Sequence, residues 1–233
     1  MAKKVTKPKQ IAKAPTTDIT PSSTKKKEKS KPTDPATTPS PAVDPAETIF
    51  FFKETDAHGY LCQWYRSPFT TPSDGQIFST AEQYTMYRKA IFFRDYASAA
   101  QILTTSNPRK VKALGRSVAN FDAERWDEVK LAVVEEGNYL KFSQGDDLAS
   151  IGIGDGEERI PRSLRGLLME TGERELVEAS PFDRVWGIGY RAEEAVMGRR
   201  RKEWGFNLLG KALMNVRERL RREETEAAER DDE

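Results

Sequence analysis

The aromatic residues of this chain are confined to one stretch, which limits where a folded core can form. All 11 Phe, 4 Trp and 7 Tyr of the 233 residues lie within 49–222. Residues 1–48 hold eight prolines, ten lysines and five acids, and they bury too little apolar surface to offset the entropy of chain ordering. Residues 223–233 carry seven acids and one arginine. The sequence therefore predicts a disordered Lys/Pro/Thr-rich tail over 1–48, a folded domain over 49–222 and an acidic tail over 223–233.

Helix-start signals in the domain outnumber strand-like segments. Ser79 and Thr80 each open a capping box, with Glu82 and Gln83 three residues later, and predict a helix that runs towards Arg94. Positions 82, 86, 89 and 93 of that helix share one face. Further helix starts are predicted at Asn107, Asp122 and Ser163 and near Asn207, with short strands at 49–52 and 175–179. We therefore expect a mainly α-helical, compact single domain with a few short β-strands.

Three further expectations concern individual helices and strands. Gly115 is a fitting C-terminal stop for the helix that begins at Asn107. Gly137 weakens the helix that begins at Asp122, so that helix has an uncertain break. Residues 175–179 alternate like a half-buried strand.

The scarcity of histidine and cysteine narrows the possible chemistry. His58 and Cys62 are the single residues of their types, so an intrachain disulfide is excluded. Zinc sites of the His/Cys type need three or four such ligands, and we expect no metal and no cofactor. No apolar stretch approaches the roughly 20 residues that span a bilayer, and no segment resembles a signal peptide. We expect an intracellular protein without a membrane partner, in the cytoplasm, the nucleus or both.

Several residues allow both a structural and a chemical interpretation. Glu82 closes a capping box, the interpretation that periodicity favours, or serves as a pocket carboxylate. Lys89 lies beside apolar positions and either extends to water or, if buried, becomes a nucleophile. Asn207 is either a helix N-cap or part of a phosphate-binding helix terminus. The glycines of 152–156 lack the strand and helix of a phosphate-binding loop, which favours a surface insertion.

The segment 183–189 combines an acid, a tryptophan and two glycines. An ordinary strand-to-turn junction explains it, although Asp183, Trp186 and Gly187 also suit a nucleotide base and its ribose, since they provide a carboxylate, a stacking surface and an approachable backbone.

Taken in order, the sequence blocks form a pattern. They are 60–65, 78–84 with 88–90, 114–116, Trp126, 141–142, 171–180 with 183–189, and 204–214. Together these blocks resemble the NADAR family over about 49–222. Two features depart from the family pattern. Cys62 stands where serine is more usual, so a hydroxyl contact is not expected there, and the stretch around 150–162 is longer, which predicts a different pocket rim.

The resemblance implies a compact helical domain that cleaves N-glycosidic bonds. It assigns catalytic roles to Glu82, Lys89 and Asp183. Substrate-binding roles fall to Trp126, Trp186, Gly187, Asn207 and Arg116. Two substrate classes are associated with the family: ADP-ribose attached to guanine in nucleic acid, and phosphorylated ribosylamine intermediates of riboflavin synthesis.

We therefore predict an N-glycosidase that removes ADP-ribose from guanine in nucleic acid. Hydrolysis of riboflavin-pathway intermediates is the second hypothesis, and a non-catalytic ADP-ribose-binding module is the third. The partner is then an ADP-ribosylated nucleic acid or a nucleotide-like small molecule. The basic tail, whose cluster spans 25–31, contacts nucleic acid or only keeps the protein solvated. The oligomeric state stays open.

Overall fold

The first strand of the domain pairs with a strand from its second half. The computed structural model describes residue 44 and residues 46–146, 163–197 and 201–231. Strand β1, Thr48–Phe51, runs parallel to β4, Glu175–Glu178, with Ile49 opposite Leu176. Strands β2, Phe69–Thr70, and β3, Ile77–Phe78, form a short antiparallel pair. The predictions for 1–43 and for the insertion around 150–162 lie outside the described residues.

Seven α-helices make up most of the remaining structure that is described. They are α1 Ala81–Phe92, α2 Tyr96–Leu103, α3 Pro108–Arg116, α4 Ala123–Gln144, α5 Leu164–Met169, α6 Ala192–Val196 and α7 Leu208–Asp231. Short 3-10 turns cover Gly59–Leu61 and Arg201–Glu203. The predicted caps are confirmed at Thr80, Asn107, Asp122 and Ser163, each of which accepts a backbone N–H through its side chain. The mainly helical prediction is also confirmed.

Helix α3 ends one residue after Gly115, close to the predicted stop, and packing accounts for both glycines. Gly115 lies inside the last turn of α3, and a Cβ there would be 2.0 Å from Sδ of Met86. Helix α4 continues unbroken through Gly137, where a Cβ would be 2.6 Å from Cδ1 of Tyr84. These glycines therefore let α1 approach α3 and α4 closely.

The remaining differences concern β4 and the acidic tail. Leu176 and Val177 are both fully buried, because β4 is covered by core residues on both faces, so the predicted alternation is wrong. Residues 223–231 continue α7 as helix. Glu223 there accepts a hydrogen bond from the Tyr139 hydroxyl, which ties this part of α7 to α4.

Helix α4 is central to the core because it packs against both α1 and α7. The predicted apolar stripe of α7 is confirmed, with Leu209, Leu213, Val216 and Leu220 all buried. Within the described residues, no helix combines the length and apolarity needed to cross a membrane.

Candidate active site

A cavity of about 530 Å³ collects most of the predicted site residues. Its walls come from α1, α3, α4 and the first turn of α7, from residues 52–54 and 62–64, and from the end of β4 with the segment that follows it. Six of the eight predicted residues line it: Glu82, Lys89, Arg116, Trp126, Asp183 and Trp186. Helices and loops that are far apart in the sequence thus bring two predicted acids, one amine and two indoles to one place.

Helix α1 presents Glu82, Met86 and Lys89 to this cavity, as their shared helical face predicts. Glu82 does not close the cap: Thr80 accepts the Gln83 N–H at 3.1 Å, and the Gln83 side chain accepts the Ser79 N–H at 2.7 Å. The capping interpretation of Glu82 is therefore wrong, and its carboxyl is available to the pocket.

The surroundings of Glu82 favour the protonated form of its carboxyl more than water does. Burial raises the pKa of its carboxyl, while the nearby Lys112, Trp64 and Arg116 side chains act in the opposite direction. Such a carboxyl is a stronger base when ionised, which suits proton transfer to or from a substrate.

Lys89 is buried, with 9% of its surface exposed, so the interpretation that it extends to water is wrong. Its Nζ donates to the Gly115 carbonyl at 2.8 Å and lies 3.9 Å from the centre of the Phe121 ring. The same Nζ atom lies 5.9 Å from the centre of the Trp126 ring. Burial lowers the pKa of Lys89, which increases the neutral fraction that can attack carbon.

The loop after β4 fixes Asp183 at the cavity wall. Its Oδ1 accepts the N–H groups of Val185 and Trp186, each at 2.8 Å. The same turn places the half-buried Trp186 ring beside the carboxylate and in the cavity wall. An acid and an aromatic surface are thus positioned by one short segment.

Glu178, the last residue of β4, is a cavity residue that was not predicted from the sequence. Its side chain also lines the cavity, and its Oε2 is buried without a hydrogen-bond partner within the described part of the chain. Burial is the main cause that raises the pKa of the Glu178 carboxyl to about 8, with Asp183 and Glu82 acting in the same direction and Lys112 opposing them. The sequence signal that could have identified it is an acidic residue directly after the apolar pair Leu176 and Val177 and shortly before Asp183.

A second missed residue, Lys112, lies one helical turn before Arg116 in α3, and both line the cavity. Its Nζ is 5.7 Å from the centre of the Trp64 ring, another cavity residue. Arg116 is exposed, whereas Lys112 is half-buried. The i, i+4 spacing of two cations was the available signal for an anion-binding edge.

Gly187 and Asn207 lie behind the cavity wall and are not among its lining residues. A Cβ at Gly187 would be 2.7 Å from the Glu178 carbonyl oxygen. Asn207, at φ 51°, accepts the Glu178 N–H at 3.0 Å and donates to the Leu176 carbonyl at 2.9 Å. The structure gives both residues a structural role, because both hold β4 and its following loop together; their predicted substrate contacts stay predictions.

The start of α7 also cannot offer its first amides to a phosphate. Leu208 and Leu209 donate their N–H groups to the carbonyls of Val185 and Trp186, at 3.1 and 3.0 Å. The phosphate-binding interpretation of the Asn207 helix terminus is therefore wrong, since those donors are used within the chain.

Metal and thiol chemistry receive little support from side-chain arrangement. Across the residues that the structure describes, no three His, Cys, Asp or Glu side chains are grouped so as to hold a metal ion. Cys62 lines the cavity, but burial raises the pKa of its thiol to about 12, which disfavours the nucleophilic thiolate.

Comparison with known proteins gives consistent results. The model of the NADAR domain family matches residues 50–221. An N-glycosidase of Acanthamoeba polyphaga mimivirus is 42% identical over 159 residues, 67% of this chain and 84% of that protein. An N-glycosidase of Nostoc punctiforme is 30% identical over 174 residues, 75% of this chain and 93% of the relative. The NMR structure of YbiA from Escherichia coli has a TM-score of 0.56 at 26% identity, and the similarity covers 79% of this chain and 91% of YbiA.

Proposed function

This chain belongs to the NADAR domain family, and from that premise we propose that it is an N-glycosidase that removes ADP-ribose from guanine in nucleic acid. One observation carries the proposal: Glu82, Asp183 and the buried amine of Lys89 line one cavity together with Trp126 and Trp186. Relatives that match most of this domain are named N-glycosidases, which supports the reaction class.

Cleavage of an N-glycosidic bond develops positive charge at C1 of the ribose. Asp183, oriented by two backbone N–H groups, is the carboxylate that stabilises this charge. Glu82 accepts a proton from the attacking water, whose oxygen bonds to C1. The electron pair of the broken bond goes to the leaving nitrogen, which takes up one proton from the cavity in place of the one that Glu82 removes from water, so that one water is consumed per bond.

Lys89 provides a second route through a covalent intermediate. Its neutral amine attacks C1 as the bond to the base breaks, and the base nitrogen keeps the electron pair and takes one amine proton. The C1–ring oxygen bond then opens, the ring oxygen takes the second amine proton, and water hydrolyses the resulting Schiff base. Burial of Lys89 supports this role, because it lowers the pKa of the amine and so increases the neutral fraction. Borohydride should reduce the Schiff base and add the mass of the sugar adduct to Lys89. If no adduct forms, the covalent route is wrong and direct hydrolysis remains.

The charges at the cavity edge support a diphosphate substrate. Lys112 and Arg116 lie one turn apart and can each contact one phosphate of ADP-ribose. Trp64 and Trp186 offer aromatic surface for a base. A phosphorylated ribosylamine intermediate of riboflavin synthesis would use only part of this edge, and it is the alternative substrate to test.

The substrate experiment compares the two classes directly. Purified protein is incubated with ADP-ribosylated guanosine and, separately, with a ribosylaminopyrimidine phosphate, and product release is followed by mass spectrometry. We expect release of ADP-ribose from the first. Turnover of the second alone would replace the proposed substrate.

Variants test whether the cavity performs the reaction. Asp183→Asn keeps the acceptor of the loop hydrogen bonds and removes the charge, and we expect kcat to fall by about 100-fold or more. Asp127→Asn, an exposed acid paired with Lys130 on α4, is the matched control. Unchanged turnover in the Asp183 variant would contradict the assignment of Asp183, whereas ADP-ribose binding without any turnover by the wild type would favour a non-catalytic ADP-ribose-binding module.

The basic tail adds a further element to the proposal. Its net positive charge over 1–48 is suited to neutralising phosphates, and binding through it should weaken with salt. Deletion of residues 1–46 should therefore weaken binding to modified DNA or RNA and spare turnover of the mononucleoside substrate. Equal binding with and without the tail would remove this part of the proposal.

A further inference from the structure

Glu178 is a cavity acid to which the hydrolysis described above gives no role. Its Oε2 is buried and has no hydrogen-bond partner among the described residues, although the cavity is lined by many polar side chains. A buried polar atom without a partner costs free energy, so its retention next to Asp183 calls for an explanation.

The backbone around Glu178 is fixed on both sides. Its N–H is held by the Asn207 side chain at 3.0 Å, and its carbonyl accepts the Ile188 N–H at 3.0 Å. Strand β1 pairs with the same residue through Phe51. The carboxyl is therefore presented to the cavity from a rigid position, as a group that acts on a substrate requires.

The charges that face Glu178 keep a proton on it. Asp183 from the following loop and Glu82 from α1 are like charges, and Lys112 from α3 only partly offsets them and the effect of burial. Cys62, on the segment before α1, is protonated and adds no charge. The carboxyl is mostly protonated near neutral pH, whereas proton acceptance is assigned to Glu82.

We propose that Glu178 is the general acid of the reaction and donates its proton to the leaving nitrogen of the base. This inference rests on the proposed function. The O–H bond of Glu178 breaks as the C1–N bond breaks, and the electron pair of that bond stays on the nitrogen that receives the proton. Water adds its oxygen to C1 and gives its proton to Glu82, from which the proton returns to Glu178 through solvent. The net change is one water consumed per glycosidic bond.

Two substrates with different leaving groups test this role. One is ADP-ribosylated guanosine, whose base must be protonated to leave; the other is ADP-ribose linked to 4-nitrophenol, which leaves readily as an anion. In Glu178→Gln we expect kcat/KM for the guanosine substrate to fall by about 100-fold or more, and for the nitrophenyl substrate to change only a few-fold. The control is Glu175→Gln, on the same strand and in an ion pair with Arg201, which should behave like the wild type on both.

The pH profile gives a second readout. Wild-type kcat/KM on the guanosine substrate should decline as the pH rises through about 8, where Glu178 loses its proton. Glu178→Gln should lack that decline. Glu178→Asp keeps an acid with a shorter reach and should retain more activity than the glutamine variant, and circular dichroism checks that each variant is folded.

Three results would overturn the assignment: equal losses on the two substrates in folded Glu178→Gln, no loss on either, or a decline at high pH that persists in the variant. Inactivity of the wild type on both substrates would instead contradict the proposed function, and the role of Glu178 with it.

Discussion

Asn207 should stabilise the fold through the backbone of β4 and not through the substrate. The structure gives it two hydrogen bonds, from the Glu178 N–H and to the Leu176 carbonyl, and a left-handed conformation at φ 51°. Truncation to alanine leaves both backbone groups without these partners, at about 1 to 1.5 kcal/mol each. Alanine also bears the steric cost of that conformation, roughly 1 kcal/mol.

We therefore expect Asn207→Ala to lower the free energy of unfolding by about 3 to 4 kcal/mol. Asn207→Gly loses the same hydrogen bonds without the conformational cost, and should be more stable than the alanine variant by about 1 kcal/mol. Urea denaturation monitored by tryptophan fluorescence measures both values, with equal m-values as the check for two-state behaviour.

The kinetic readout separates the two possible roles. If Asn207 positions Glu178, kcat falls in the folded variants while KM changes little. The reasoning is refuted if both variants unfold within about 0.5 kcal/mol of the wild type, or if alanine and glycine variants are equally stable. A raised KM together with wild-type stability would instead indicate that the Asn207 side chain contacts the substrate.

Three further predictions concern packing, pH and charge. Gly137→Ala should lower the melting temperature, because its Cβ would meet the Tyr84 ring and overpacking costs typically about 1 to 3 kcal/mol; an unchanged Tm would contradict the close contact. Burial lowers the pKa of Lys141 to about 7, so between about pH 10 and pH 7 the unfolded state binds a proton that the folded state does not. Wild-type stability should therefore fall by roughly 4 kcal/mol as the pH decreases across that range, relative to Lys141→Met measured in parallel; identical pH profiles would refute this. Replacing Lys112 and Arg116 with alanine should raise KM for a diphosphate substrate more than for a singly phosphorylated one, and an equal effect on both would contradict their assignment to two phosphates.

The sequence predicted the helices well because their signals are local. The caps at Thr80, Asn107, Asp122 and Ser163 each depend on a side chain and a backbone amide within three residues. The glycine at 137 could not be interpreted this way. Its reason is the Tyr84 ring on another helix, and a contact between helices leaves no periodic trace in either one.

The candidate site was predictable in part. Glu82 and Lys89 share a helical face, so their common location follows from spacing, and the family resemblance supplied Asp183, Trp126 and Trp186. Glu178 and Lys112 were missed because their importance depends on burial and on neighbours from other elements. The resemblance also supplied Asn207, but its side chain is hydrogen-bonded to the backbone of β4.

The pairing of β1 with β4 has a consequence for how the protein is made. Strand β1, which begins at Thr48, has no pairing partner until β4, which begins at Glu175, has been synthesised. The loop that carries Asp183 is in turn hydrogen-bonded to backbone N–H groups at the start of α7. During translation the ribosome must therefore release most of the domain before the cavity can assemble, since such distant contacts form late and slowly. A nascent chain that ends at α4 should form its first helices but have no catalytic activity.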